Sequence, residues 1–410
     1  MRGRATLLSD LSKNDSEVLG KLASKGRTWI VGGWIRDGLI KEGRRDLDIT
    51  TELTPGEIVK IFPNSLTHGA RYGTVVVRIL GSDSEWEVTT LRTEADYSDG
   101  RRPDVVNFGT DIMEDLSRRD FTVNAMAVSY PDGDFIDPFG GLSDLNSKII
   151  RAVGDASDRF SEDGLRILRA YRFVAVSNGW EIEDGTKASL GNSLEMLDSV
   201  SAERIGVEFR RMLELPGSSR SISIMAEHGA LQKILPGSCP PENYLPTGKL
   251  AVDLAVMFSN GGISKEEAVL QARKGLKATN AEIQSLELLM NIEPEASLIS
   301  IGEVRRFHAA IDPLQKEDVL DYLEVIGHDR RGYVDTVERP VDGGRALVDG
   351  HVLAKETLLE PGVRLGRLKD LLHRLQIERG LSNSSEILDL ISEIDWENGD
   401  PLSWPKMAWP

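Results

Sequence analysis

The sequence predicts an α+β chain in which a mixed α/β head precedes a long, all-helical remainder. Three observations predict it. From Thr28 to about Asp137 the chain runs in short segments, "TWIVGG", "DLDITT", "GTVVVRIL", "EWEVTTLR", "FTVNAMAVSY" and "DFIDPF". They are rich in Val, Ile and Thr and bounded by Gly, Asp or Pro, as strands are. After Leu145 the apolar spacing turns helical and stays so almost to the end, most clearly in "GLRILRAYRFVAV", "AERIGVEFRRMLEL", "LAVDLAVMF" and "RLGRLKDLLHRLQIERGL". Between these helices, Leu235–Gly248 ("LPGSCPPENYLPTG") has the Pro and Gly content of a linker or loop, and no fixed-period repeat occurs.

The length of 410 residues suggests about two to four modules with enough core to need no staples. A single cysteine, Cys239, excludes a disulfide framework and fits a reducing compartment. Asp10, Asp15 and Glu17 follow the first arginines and neither a secretion signal nor a membrane-length apolar run is legible, so a cytoplasmic protein without a membrane partner is expected. The formal net charge of -17 argues against indiscriminate binding to polyanions. An RNA partner must then be held by placed arginines, selectively and in a salt-sensitive way.

The head opens on "VGGWIRDGLIKEGRRDLDITT". In a strand, residues two apart share a face, so Asp46 and Asp48 present their carboxylates together while Leu47 and Ile49 face the core. That suits a hard divalent cation, and polymerase-type chemistry commonly uses two, shared with a third carboxylate from a neighbouring strand. Glu87 supplies it, lying deeper in "EWEVTTLR" than Glu85. An Asp-x-Asp step is also what a solvated strand face looks like; the upstream glycines favour the site. Gly32 and Gly33 stand between a strand and a helix, where bare backbone approaches phosphate oxygens, and Arg36 lies one turn further in, beside Asp37. Neither a dinucleotide fingerprint nor a Gly-Lys-Ser/Thr loop is present.

These residues carry a resemblance. "GGWIRDGLIKEGRRDLDITT" resembles motif A of the DNA polymerase β-type nucleotidyltransferase superfamily, in the branch of class II tRNA nucleotidyltransferases and bacterial poly(A) polymerases. The likeness continues in order through "TTLRTEADYSDGRRPDVVNF" (flexible loop), "RRDFTVNAMA" (motif B), "DPFGGLSDL" (motif C), "EDGLRILRAYRF" (motif D) and "SAERIGVEFRRML" (motif E). It implies a polymerase β-like head over 1–145, a helical neck over 146–218, a body over 219–295 and a tRNA-gripping tail over 296–410. It also implies metal binding, taken as Mg²⁺, at Asp46 and Asp48, with Glu87 completing the set. Nucleotide contacts are implied at Gly33, Arg36 and Arg119, and we group Gly32 and Asp37 with them.

In "RRDFTVNA", Asp120 and Asn124 lie one helical turn apart or on a turn into a helix, placed to read ribose hydroxyls; Asp120 equally suits a cap. At about 100° per residue, Asp163, Arg166, Arg169 and Arg172 share one half of a helix, and Ile167, Leu168, Tyr171 and Val174 the other. Such a face is either a solvated stripe or a site. A carboxylate one turn from a guanidinium offers an acceptor beside donors, which matches the amino group and ring acceptor of cytosine and adenine. Guanine and uracil would set like against like. The resemblance gives Asp163 and Arg166 this base-selecting role; Arg169 and Arg172 are placed for phosphate or RNA.

Within the family, "HGARYGTVVVRI" resembles the tRNA-directed enzymes, and the loop "EADYSDGRRPD", whose shortening accompanies enzymes that stop after C, is present. Full CCA addition to tRNA from CTP and ATP is expected, with A addition alone or poly(A) synthesis as alternatives and an inactive RNA-binding protein as a remote one. In the tail, Arg364, Arg367 and Arg374 face either RNA phosphates or solvent. His328-Asp329 lacks partner histidines at metal spacing. Trp396, Trp404 and Trp409 are expected to dock onto the body rather than stack on RNA.

Overall fold

The computed structural model describes residues 7–40, 47–95, 105–109, 111–340 and 344–410. The chain folds as two compact units, Met1–Pro236 and Gly237–Pro410. The division falls inside the Pro- and Gly-rich stretch read as a linker.

The described strands of the first unit up to Ile136 are β1 (Thr28–Val31), β2 (Asp48–Thr51), β3 (Thr74–Arg78), β4 (Glu85–Thr90), β5 (Arg92–Ala95), β6 (Val105–Phe108), β7 (Ala127–Tyr130) and β8 (Phe135–Ile136). Six of them form a mixed sheet in the order β3-β4-β2-β1-β7-β8, and β5 pairs with β6 as a separate hairpin. Only β2 and β4 run parallel in the sheet, with Ile49 beside Val88. That register puts Ile30, Ile49, Val88 and Val75 in one row, each 1% exposed or less. Helices α1 (Lys13–Ala23) and α3 (Pro55–Ile61) pack on the sheet. The alternate row holds Val31, Asp48 and Glu87. Trp29 and Val31 on that side join an apolar cluster with Leu91, Ile112, Leu116, Ala125, Ala127 and Val153.

Between β1 and β2 lies α2 (Gly33–Ile40); α4 (Ile112–Ser117) and α5 (Gly141–Ser147) follow later. The segment expected as one strand over Phe121–Tyr130 is broken. Phe121 bridges Ala152, Thr122–Asn124 is a 3₁₀ turn, and only Ala127–Tyr130 is a strand. Two side-chain bonds hold the break, one near and one distant in sequence: Asn124 Nδ2 donates to Asp120 Oδ1 at 3.0 Å, and Thr122 Oγ1 donates to Asp144 Oδ2 at 2.7 Å. The remainder is helical as expected, with α6 (Ala156–Glu162), α7 (Leu165–Ala175), α8 (Asp184–Asn192) and α9 (Ala202–Leu213), except for a short parallel pair, Ile149–Ile150 with Glu181–Ile182. On α7, Ile167, Leu168, Tyr171 and Val174 are buried, as their spacing predicts.

Among the described residues, every element of the second unit is helical. Its loop before Leu250 is fixed by Asp253, which accepts from Tyr244 Oη (2.6 Å), from the Thr247 N–H (2.7 Å) and hydroxyl (2.9 Å), and from the Gly248 N–H (3.1 Å). The C-terminal tryptophans do dock, but onto helices of residues 301–379 instead of the segment 219–295. Trp409 is 4% exposed and lies 4.6 Å from the Phe307 ring, and Trp396 and Trp404 pack against a cluster containing Leu365, Leu368 and Leu372.

This docking engages three arginines expected to face either RNA phosphates or solvent. Arg364, Arg367 and Arg374 do not form an open basic row. Arg364 Nη1 donates to the carbonyls of Trp396 (2.7 Å) and Gly399 (2.9 Å). Arg367 donates to those of Pro401 (3.1 Å) and Trp404, and Arg374 to that of Lys406 (3.0 Å) and to Glu378 (2.7 Å). An irregular tail leaves carbonyls without ladder partners, and guanidinium forks satisfy them.

Candidate active site

The site is built on the row of β2 and β4 that the core does not claim. Asp48 opens β2, held by the buried Leu47 and Ile49 on either side, and the parallel register sets Glu87 beside it. Both line a pocket of about 180 Å³ with Val31, Ile49, Thr50, Thr89, Arg92, Arg118 and Arg119. Asp46 lies outside the described residues.

Gly32 completes this wall. Its φ is +67°, and a Cβ there would sit 3.0 Å from Arg119 Nη1 and 3.1 Å from Asp48 Oδ2. A side chain is excluded both by conformation and by the carboxylate and guanidinium that converge on the backbone. Gly33 then starts α2. The described donors here are carboxylate oxygens, the chemistry of a hard divalent cation. Among the described residues no group of three such ligands is assembled. The two described carboxylates, Asp48 and Glu87, beside bare backbone fit the chemistry of a hard divalent cation.

Arg36 is fixed from three sides. Its Nε donates to Asp37 Oδ1 (2.7 Å), its Nη1 to Asn124 Oδ1 (2.6 Å), and its guanidinium lies 4.9 Å from the Phe173 ring centre. Asp37 therefore acts here as a partner of Arg36. Asn124 is held by Asp120, whose other oxygen accepts from Arg169 Nε at 2.7 Å. Arg169 reaches Glu208 at 3.3 Å, and Arg172 pairs with Glu208 at 2.5 Å. A continuous polar chain thus runs from α9 through α7 to α2. Asp120 also accepts from the Phe121 N–H at 2.8 Å, but it does not cap the following turn, whose N-cap is Phe121 with no side-chain cap bond. Arg169 and Arg172, expected at phosphate or RNA, are engaged with carboxylates in this structure.

Burial alone would raise the Asp120 pKa. The charge of Arg169, the Asn124 hydrogen bond and the charge of Arg166 outweigh it and hold this carboxyl well below the usual range. Burial lowers the Arg172 pKa, with Arg169 and Arg36 adding to it against Glu208. A depressed folded pKa at Asp120 contributes stability above the ordinary carboxylate range that is lost as pH falls toward the folded value. Asp120→Asn should therefore be destabilised at pH 7, and the gap to the natural protein should narrow below about pH 4. Melting curves of both proteins across pH check this; parallel curves would contradict it.

Asp163 stands just ahead of α7 rather than on it, with φ −151° and ψ 105°, and only Arg166, Arg169 and Arg172 share the helix. Its Oδ1 accepts from the Leu165 N–H at 3.0 Å. Gly164 between them is required: a Cβ there would fall 2.3 Å from the Met196 carbonyl oxygen. Arg204 of α9 grips the carboxylate with both Nη atoms, at 3.1 Å to Oδ1 and 2.7 Å to Oδ2. Arg166 donates from Nη1 to Glu162 (2.6 Å) and the Arg159 carbonyl (3.1 Å), and from Nη2 to the Arg118 carbonyl (3.0 Å).

Sequence reasoning missed Glu162, Arg204 and Glu208. Two had a signal. Glu162 is four residues before Arg166, and Glu208 falls within the apolar stripe Ile205, Phe209, Met212, where a buried charge needs partners. Nothing in spacing singled out Arg204.

The family profile described as "Poly A polymerase head domain" matches residues 28–151, and one described as "Probable RNA and SrmB- binding site of polymerase A" matches residues 179–240. The CCA-adding enzyme of Leuconostoc citreum is 34% identical over 391 residues, covering 90% of this chain and 93% of that protein. The chain belongs to the CCA-adding enzyme family. Another member, from Bacillus velezensis, is 42% identical over 221 residues, 54% of each chain. The Bacillus stearothermophilus CCA-adding enzyme, solved in complex with CTP, superposes with a TM-score of 0.74 at 27% identity, covering 96% of this chain and 98% of that one. The expected nucleotidyltransferase head and helical remainder are thus those of the CCA-adding enzymes. No described helix is long and apolar enough to cross a membrane.

Proposed function

We propose that this chain completes tRNA by adding CCA from CTP and ATP without a nucleic-acid template. In each step the tRNA 3′-hydroxyl oxygen bonds to the α-phosphorus, its proton leaves, and pyrophosphate departs as the α–β bridge breaks. One observation carries the reading: Asp48 and Glu87 open into one pocket with Arg92, Arg118 and Arg119, on a chain whose likeness to CCA-adding enzymes spans both units.

In this reading Asp46, Asp48 and Glu87 would hold two Mg²⁺ ions, which would supply charge neutralisation at the triphosphate and lower the pKa of the attacking hydroxyl. Gly32 and Gly33 let phosphate oxygens approach the backbone. Arg119 and Arg36 meet phosphate or ribose, with Asp37, Asn124 and Asp120 setting the position of Arg36. Arg169 and Arg172 exchange carboxylate partners for phosphate when nucleotide enters. Asp163 and Arg166 read the base edge. Residues 1–145 act as catalytic head, 146–218 as neck, 219–295 as body and 296–410 as tail, and the reaction is placed in the cytoplasm, where CTP, ATP and tRNA meet.

A poly(A) polymerase would bind unstructured RNA as readily as tRNA. With a net charge of -17, binding here should be selective and should weaken with salt as phosphate contacts are lost. Affinity for tRNA and for an oligo(A) of similar charge, each over a salt series, checks it. Tighter tRNA binding throughout is expected; equal affinity would favour poly(A) synthesis.

A further inference from the structure

We infer that Arg204 is a specificity-determining positioning residue, which fixes the Asp163 carboxylate in the orientation that separates cytosine and adenine from uracil and guanine. The inference rests on the reading of Asp163 as a base-reading group and goes beyond it by naming what aims that group.

Asp163 lies on extended backbone between the end of α6 and the start of α7, within neither helix. Its own contact with the Leu165 N–H fixes one oxygen and leaves the carboxylate plane free to turn about that bond. Arg204 removes this freedom. Two parallel donors from one planar fork, at 3.1 and 2.7 Å, define the plane of the carboxylate. The arrangement is also asymmetric. Oδ1 accepts twice, from Leu165 and Arg204, and Oδ2 accepts only from Arg204 among the described residues. A carboxylate oxygen has two lone-pair directions, so Oδ2 keeps one for an exocyclic amino group. The Asp163 and Arg204 side chains are 18% and 23% exposed, so the pair is shielded from water yet open on one side.

Arg204 comes from α9, an element with no part in the carboxylate pocket. One turn on, Glu208 of the same helix holds Arg169 and Arg172. Lysine at 204 would keep the charge but lose the fork, which separates charge from orientation.

The test is single-nucleotide incorporation on tRNA ending before CCA, with each of the four NTPs, by the natural protein and by Arg204→Ala, Arg204→Lys, Asp163→Ala and Asp163→Ala/Arg204→Ala, all well below their melting temperatures. We expect Arg204→Ala to lower the ratio of kcat/KM for CTP over UTP about tenfold, Arg204→Lys to lower it less, and the double variant to match Asp163→Ala. If Arg204→Ala does not fold, Arg204→Lys carries the same comparison against Asp163→Ala. A merely structural tie would slow all four nucleotides alike, so unchanged ratios in the Arg204 variants beside a lowered ratio in Asp163→Ala overturn the inference alone. An unchanged ratio in Asp163→Ala overturns the base-reading role and the Arg204 role with it.

Discussion

Asp48→Ala should lose nucleotide transfer by about a thousandfold or more while keeping its fold. The carboxylate projects from the start of β2 into the pocket shared with Glu87 and Arg119, and the buried Leu47 and Ile49 that anchor the strand are untouched. Removing it takes a hard oxygen ligand from the metal site and unbalances the positive charge of Arg118 and Arg119 at the same wall. Single-turnover incorporation with Mg²⁺, beside a melting curve, separates chemistry from stability. Near-normal transfer would show that the carboxylate of β2 is a solvated strand residue. A large fall in melting temperature would show a structural carboxylate.

Asp163→Ala should lose base discrimination more than turnover. With the acceptor gone, a carbonyl at the position of the exocyclic amino group no longer meets a like charge. The loss expected from an unpaired buried polar group is roughly 1–3 kcal/mol, or about one to two orders of magnitude in relative kcat/KM for UTP and GTP. Turnover with CTP should fall less, since Asp48 and Glu87 stand on other elements. Leu165 and Arg204 lose a partner in this variant, so a modest drop in melting temperature accompanies it. Incorporation of each NTP on tRNA ending before CCA measures the ranking. Ratios unchanged from the natural protein would place base selection elsewhere.

Much of this was legible in the chain. The alternation around Asp48 and the Val, Ile and Thr runs gave five of the expected strands, because in a half-buried sheet the face of each residue follows from parity alone. Gly32 and Gly33 were readable as backbone that must come close to something, and Gly32 does, at Asp48 and Arg119. Periodicity placed α7 correctly but extended it back to Asp163, because a helix and its flanking turn share the same apolar spacing; the hold of Arg204 on Asp163 and the close approach of Gly164 to Met196 are tertiary facts. The break at Phe121–Asn124 was illegible for the same reason: Asp144 and Arg151, which take its hydrogen bonds, lie more than twenty residues away. Arginine posed the hardest case. Arg169 and Arg172 read as contacts for phosphate or RNA, and Arg364, Arg367 and Arg374 as facing either RNA phosphates or solvent; in the structure each has a partner within the protein, a carboxylate for the first two and tail carbonyls for the others. A guanidinium satisfies carboxylate, carbonyl and phosphate oxygens with the same fork, so residue type does not distinguish them.

The measurement that tests the central claim most directly uses the purified protein with tRNA transcripts ending before CCA, after C and after CC, each supplied with CTP, ATP or both. The account predicts two C additions and a stop with CTP alone on the first, one A on the transcript ending in CC with ATP alone, and the complete CCA end from each transcript with both. Long A tracts on any transcript, or A addition without C addition, would contradict it.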